Sequence, residues 1–342
     1  MNVLSLFDGM SCGRIALDRA GILVTNYFSS EIDKHAIKVS EDNYPDITRL
    51  GDINDWHFWG IDPAKIDIIL AGSPCQGFSF AGKQLAFDDP RSALFFKFID
   101  ILNWVKSHNP NVKFLLENVR MKKEYLDVIT EAVGFEPVLI NSALLSAQNR
   151  QRYYWCNWNI EQPKDKGITL ADIIESGVVD REKAFCIDAN YWKGGNLKSY
   201  FEKNRRQLVF EAKNGKNVTI NSNQIYTPRT FYETRTEHGK IERKRLSKLK
   251  GRDTTPRCKK SKHYVVCPHE KANCIVTVDS FLNWVIDKDY FCRKLTPIEC
   301  ERLQTVPDNY TKAVSNSQRY KMLGNGWTVD VITHILKQGI NR

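Results

Sequence analysis

The stretch Ile66-Asp67-Ile68-Ile69-Leu70-Ala71-Gly72-Ser73-Pro74-Cys75-Gln76-Gly77-Phe78-Ser79 decides how this chain reads. Its first six residues are almost continuously apolar, the pattern of a parallel strand buried on both faces. Gly72 and Pro74 interrupt the ladder, because proline has no N–H to donate and glycine weakens a strand. Cys75 then falls in the loop leaving the carboxyl end of that strand, where open α/β sheets place their chemistry. A thiol there becomes a nucleophile once its surroundings favour the thiolate. Burial as a small apolar residue is the commoner fate of cysteine; the flanking Gly, Pro and Ser favour an exposed loop.

Working outward, strand and helix signals alternate over the first ~155 residues. Residues 3–7 read as a strand ending at Asp8-Gly9, and residues 13–20 as a helix stopped by Gly21. Residues 24–30 form a second strand ending at Glu31, residues 34–43 a helix, and Gly51-Asp52 a turn or strand end. Beyond Cys75, residues 92–105 read as an apolar amphipathic helix and 113–116 as a strand ending at Glu117; 136–141 and 152–156 complete the pattern. This alternation predicts an α/β fold with a doubly wound, mostly parallel sheet. Glu31 and Asp52, taken singly, read as solvent-facing acids or helix caps. As a set at successive strand ends they point to a ligand pocket. Phe7-Asp8-Gly9 with Gly13 makes a glycine-bearing turn that lets the backbone approach a ligand. The GxGxxG spacing is absent, so a cofactor without a pyrophosphate fits better.

From about residue 158 the pattern loosens into mixed polar, aromatic and basic sequence. Regular helices return at 296–304, where Thr296 is an N-cap with Glu299 three residues on, and at 327–338. The expected division is a catalytic domain from 1–157 and 293–342 and a smaller, irregular recognition domain at 158–292.

The chain has 342 residues and a net charge of +10. Residues 157–292 hold 26 Lys and Arg against 17 Asp and Glu, so most of the surplus sits there. Residues 240–262, with Arg243, Lys244 and Arg245, are the densest part. A solvated lysine-rich surface is the alternative to a face that meets a polyanion. No apolar run approaches the ~18 residues of a membrane span, and no secretion signal is visible. Nine cysteines without regular spacing fit reduced thiols, in the cytoplasm of a bacterial or phage-encoded protein or in a nucleus. Cys258, Cys267, Cys274, His263 and His269 lack a close Cys-x-x-Cys pair, so no metal is expected.

Ser73-Pro74-Cys75-Gln76 resembles the catalytic loop of DNA (cytosine-5)-methyltransferases. The likeness continues through Gly82-Lys83 and Asp89-Pro90-Arg91-Ser92. Further blocks follow in the family's order: Leu6-Phe7-Asp8-Gly9 with Gly13, Glu117-Asn118-Val119, Gln148-Asn149-Arg150-Gln151-Arg152, Arg293-Lys294-Leu295-Thr296-Pro297 and Gly324-Asn325-Gly326. Together they span nearly the whole chain. The loop after Cys75 is more similar to small bacterial modification enzymes. The region from Pro307 through Val314-Ser315-Asn316 to Trp327 is more similar to the animal de novo enzymes, which favours CpG as target.

The resemblance implies a Rossmann-like fold that binds S-adenosylmethionine. Phe7, Asp8, Gly9, Gly13, Glu31, Ile32, Asp52, Ile53, Pro74, Asn325 and Gly326 would contact it: Glu31 both ribose hydroxyls, Asp52 the adenine amino group, Ile32 or Ile53 the ring, Phe7 the sulfonium. Cys75 would add to carbon 6 of cytosine. Glu117, carrying or sharing a proton, would act at ring nitrogen 3. Asn118 would support that carboxyl or contact the base amino group, Arg152 would hold the base carbonyl, and Arg150 would bind a phosphate or steady the Cys75 loop. The target would be flipped out of duplex DNA, with Gln76, Ser79, Lys83 and Arg91 filling the gap or binding phosphates. The expected protein is a stand-alone monomer, with a cognate restriction endonuclease as a further partner. A transfer-RNA cytosine methyltransferase is the alternative enzyme, lowered by the missing Cys-Phe-Thr signature. A catalytically silent DNA-binding relative is disfavoured by the intact Cys75, Glu117, Arg150 and Arg152.

Overall fold

The computed structural model describes residues 1–74, 93–194, 200, 203–212, 284–287 and 290–340. It divides into two compact units: Met1–Ile173, Arg181–Lys193 and Leu295–Arg342 form the first, Ile174–Asp180 and Gly194–Lys294 the second.

The first unit is built on a seven-stranded sheet ordered β3-β2-β1-β4-β5-β8-β6. Its strands are β1 (Asn2–Leu6), β2 (Asn26–Ser30), β3 (Thr48–Arg49), β4 (Ile68–Gly72), β5 (Lys113–Val119), β6 (Val138–Asn141) and β8 (Gln151–Cys156); a short β7 (Gln148–Asn149) precedes the last. The five strands from β3 to β5 run parallel, while β8 is antiparallel to both neighbours. The apolar run in β4 has the burial that a double-covered parallel strand requires: Ile68, Ile69, Leu70 and Ala71 are fully buried. On one face, Leu4, Leu6, Ile69, Ala71 and Leu116 pack with residues of α3 (Ala93–His108) and α4 (Lys123–Val133).

Helix α1 (Cys12–Ala20) ends at Gly21, whose φ of 75° supplies the left-handed cap. In α2 (Lys34–Asn43) the Asp33 carboxylate accepts the His35 N–H. After a single turn, α5 (Leu170–Ile173), the chain returns as α6 (Pro297–Leu303), α7 (Asn316–Asn325) and α8 (Val329–Gly339), and α8 packs on α1. The Thr296–Glu299 capping box is present in both directions.

Segments 158–173 and 181–193, placed with the recognition segment by the sequence pattern, pack in the first unit. β9 (Ala184–Phe185) pairs with β7. The Lys183 ammonium donates to the carbonyls of Ala143, Ser146 and Ile168 at 2.6, 3.2 and 2.7 Å. β5 also runs past its expected end at Leu116 to Val119, taking Glu117 and Asn118 into the ladder. In the second unit, β10 (Leu208–Ala212), β12 (Tyr290–Lys294) and β11 (Trp284–Asp287) form an antiparallel sheet in that order. The Arg293–Glu211 ion pair at 2.7 Å crosses its β10–β12 ladder.

Candidate active site

Because β1 through β5 are parallel, their carboxyl ends lie on one edge of the sheet. The chain builds β2 and β3 on one side of β1 and then crosses to β4 and β5 on the other. That reversal between β1 and β4 is the switch point where such sheets bind ligands.

The turn after β1 is unusual in backbone. Phe7, Gly9 and Ser11 have φ of 57°, 59° and 63°, and two of the three carry side chains in the left-handed region. The Asp8 carboxylate holds this turn. Oδ1 accepts from Ser5 Oγ at 2.6 Å and Tyr27 Oη at 2.7 Å; Oδ2 accepts from Ser11 Oγ at 2.6 Å and Ser29 Oγ at 2.9 Å. Burial, joined by the Asp8 charge, pushes the Tyr27 phenol well above its ordinary value and keeps it a donor. With four protein donors already, Asp8 is a structural hub; the cofactor contact expected of it has no free acceptor position.

Glu31 stands beside the turn at the end of β2. Oε2 accepts the Gly9 N–H at 2.8 Å, and Oε1 accepts those of Ile32 and Asp33 at 2.8 Å each. Three of about four acceptor positions are taken, leaving Oε2 one more. Ile32 is exposed and Ile53 is buried in the core cluster, so Ile32 is the one available to lie against a ring. Asp52 Oδ1 caps the following 3-10 turn, accepting from Asn54 N and Nδ2 at 2.9 Å each. Gly326 lies against the same region: a Cβ there would come 3.2 Å from Met10 Cε and 3.5 Å from Cys12 Sγ. Asn325, at the end of α7, is exposed.

The other half of the edge is formed by β4, β5 and β8. Gly72 and Glu117 are register partners, and Arg152 lies diagonally across from Glu117 because Val119 pairs with Arg152. Arg152 Nε is 3.0 Å from Glu117 Oε1. Both side chains are nine-tenths or nearly so shielded from solvent. Asn118 points the other way, as alternation in a strand demands. Its Nδ2 donates to Ser73 Oγ at 3.0 Å and its Oδ1 accepts the Val119 N–H at 2.8 Å. Asn118 therefore fixes the segment Ser73-Pro74 that leads into Cys75 and does not support the Glu117 carboxyl.

Arg150 also departs from expectation. It is 2 % exposed, and its guanidinium donates to the carbonyls of Ile187 at 3.2 Å, Gly324 at 3.3 Å and Gly326 at 2.8 Å. The last two lie at the carboxyl end of α7, the negative end of its dipole. Gly324 itself must lack a side chain, since a Cβ would fall 2.2 Å from the Asp188 carbonyl carbon. Arg150 thus clamps the returning C-terminal turn and has no donor turned outward to a phosphate.

Two residues at the site make contacts that the sequence motifs did not announce. Cys186 Sγ accepts from Arg150 Nη1 at 3.3 Å. Burial opposes its ionisation, but the charges of Arg150 and Arg152 outweigh this and lower its thiol below the usual value. Burial pushes Cys12 the opposite way, up to about 12. The second is Trp327, whose Nε1 donates to Glu117 Oε2 at 3.2 Å. The expected Cys75, Gln76, Ser79, Lys83, Arg91, Arg243, Lys244 and Arg245 lie outside the described residues, as do the cysteines and histidines weighed for zinc. Among the described residues, no helix is long and apolar enough to cross a membrane.

Comparison with known proteins matches this architecture. The model of the C-5 cytosine-specific DNA methylase family covers residues 1–341. The Type II methyltransferase M.HpaII of Haemophilus parainfluenzae is 30% identical over 96% of this chain and 86% of its own length. The orphan methyltransferase M.SPRI of Bacillus phage SPR is 28% identical over 100% of this chain and 98% of its own. Among solved structures, a mutant of Spodoptera frugiperda DNMT2 superposes with a TM-score of 0.55 at 18% identity, covering 98% of each chain. The protein belongs to the C-5 cytosine-specific DNA methylase family, a family of enzymes that methylate carbon 5 of cytosine in DNA.

Proposed function

We propose that this enzyme flips a cytosine out of double-stranded DNA, adds the Cys75 thiolate to its carbon 6, and methylates carbon 5 with S-adenosylmethionine; a base then takes the carbon 5 proton as the sulfur–carbon 6 bond breaks and the thiolate leaves. The observation that carries the reading is the Glu117–Arg152 pair, 3.0 Å apart, in which Glu117 stands on β5, next to the strand that leads into Cys75, and Arg152 reaches it from β8. Carbon 5 of cytosine is a poor nucleophile. A thiolate bonding to carbon 6 sends an electron pair into the ring, where it makes carbon 5 nucleophilic. The negative charge that develops is relieved by a proton or hydrogen bond at ring nitrogen 3, the part given to Glu117. Arg152, with a guanidinium on the Glu117 carboxylate, is placed to bind the adjacent carbonyl oxygen. Asn118 and Ser73 hold the approach to Cys75 from the opposite face of the sheet.

The donor set at the ends of β1 to β3 fits the methyl donor. Glu31 keeps an acceptor position for a ribose hydroxyl, exposed Ile32 offers an apolar surface to adenine, and the left-handed turn at Phe7 and Gly9 opens the backbone beside them. When bound, S-adenosylmethionine supplies a methyl group on a cationic sulfur. The basic segment at 240–262 is assigned to the DNA backbone, where Lys and Arg contacts give salt-dependent affinity. The Type II relatives extend the proposal to a restriction partner for this chain.

The test is trapping. A duplex containing 5-fluorocytosine should give a covalent complex with the wild type and S-adenosylmethionine, and none with Cys75→Ala, which should still bind DNA. Retention of the complex by Cys75→Ala would overturn the assignment. A transfer-RNA substrate run in parallel should stay unmodified; its methylation with duplex DNA untouched would favour the RNA reading.

A further inference from the structure

We infer that Trp327 is a positioning residue for Glu117: its indole N–H holds the carboxylate in the orientation that meets the target base. The inference rests on the proposed role of Glu117. A glutamate side chain has three rotatable bonds, and its terminal torsion is soft. Here each oxygen has its own donor, Arg152 Nε at 3.0 Å from Oε1 and Trp327 Nε1 at 3.2 Å from Oε2. Two donors on two oxygens fix both the position and the plane of the carboxylate. An indole donates and does not accept. It can hold Glu117 without competing for the proton that Glu117 must deliver.

The seat of the ring is built by glycine. A Cβ on Gly72 would come 2.8 Å from Trp327 Nε1 and 3.2 Å from Cε2 and Cζ2. A Cβ on Gly13 would come 3.5 Å from Cζ3. Gly72 is also the ladder partner of Glu117, so a ring lying on Gly72 is carried alongside that carboxylate.

The mounting of the ring is equally determined. Trp327 follows Gly326, whose carbonyl accepts from Arg150 at 2.8 Å and from Gln304 Nε2 at 3.2 Å. Thr328 on its other side donates to Gln304 Oε1 at 2.9 Å and accepts from Ser142 Oγ at 2.9 Å. The two arginines of the Arg150-Gln151-Arg152 block therefore reach Glu117 by different routes. Arg152 touches it directly, and Arg150 acts through the turn that carries Trp327.

Trp327→Phe keeps an aromatic ring and removes only the donor. We expect kcat on duplex DNA to fall about ten- to a hundredfold, with the calorimetric Kd for S-adenosylmethionine changing less than about threefold and Tm nearly unchanged. Release of tritium from carbon 5 of labelled cytosine in DNA, measured without the methyl donor, should slow in parallel. Gly72→Ala, which pushes against Nε1, should lower kcat as well, and its effect should shrink in the Trp327→Phe background. Wild-type kcat in Trp327→Phe, or a loss confined to donor affinity, would overturn the inference and leave Trp327 as a pocket wall. Glu117→Gln separates the two levels. If it keeps full turnover, the acid role of Glu117 fails and the inference goes with it. If it is inactive while Trp327→Phe is unimpaired, the positioning role alone fails.

Discussion

At the ends of β1, β2 and β3, Asp8, Glu31 and Asp52 are held by hydroxyls and amide N–H groups, whereas Glu117 at the end of β5 faces a guanidinium 3.0 Å away. Neutral donors satisfy a carboxylate's lone pairs without cancelling its charge, and a guanidinium does both. The first neighbourhood therefore keeps its carboxylate charges, and the second is charge-compensated. Under the proposed function the first suits the cationic S-adenosylmethionine and the second a ring that is neutral on arrival and gains charge only as it reacts, with the boundary at the crossing between β1 and β4.

The largest effect should come from the compensated side. Arg152→Met leaves a largely buried carboxylate without its cation, and kcat should fall by about 10²–10³, with donor affinity measured by calorimetry unchanged. A matching loss of donor affinity would dissolve the boundary between the two neighbourhoods. Next is Asp8→Asn. An amide cannot accept four hydroxyl donors, so the turn should loosen by about 2–3 kcal/mol of folding stability, read from urea melts. A loss of donor affinity at wild-type stability would return Asp8 to the cofactor. Glu31→Gln removes the charge and keeps one carbonyl acceptor; donor Kd should rise about tenfold, with kcat at saturating donor little altered. The smallest effect belongs to the rim. Asp33 is desolvated, yet the Lys321 hydrogen bond at 2.7 Å and backbone N–H groups bring its carboxyl below the ordinary value. A lowered carboxylate contributes stability above the ordinary carboxylate range and loses it as pH falls through the folded value. Lys321→Met should cost a few tenths of a kcal/mol at neutral pH, discounted for exposure, and the difference from wild type should vanish on acidification.

Local pattern carried the fold a long way. The apolar run before Gly72, the strand ending at Glu31, the strand that carries Glu117 and the Thr296–Glu299 box are properties of neighbouring residues, and each has its structural counterpart. The order of the Glu117 and Arg150–Arg152 blocks anticipated that Glu117 and Arg152 share one site. Asn118 was misplaced because β5 was ended too early; inside a strand, alternation sends it away from Glu117 toward Ser73. The partners of Arg150 and Trp327 were illegible for another reason. Arg150 meets Gly324 across 174 residues of sequence and Trp327 meets Glu117 across 210, and no local periodicity records which carbonyl or carboxylate a returning turn will meet. Helices α4 and α7 also passed unmarked, and neither is introduced by a side-chain cap.

The packing of α8 on α1 has a consequence for biogenesis. Arg19 reaches Asp330 at 2.8 Å and Thr333 Oγ1 donates to the Ala16 carbonyl at 3.4 Å, so the first helix is covered by residues 311 and 317 positions further on. On the ribosome, that flank of the nascent sheet must wait uncovered until α8 has been made. Truncations that remove α8 should thus be as damaging to solubility as far earlier ones.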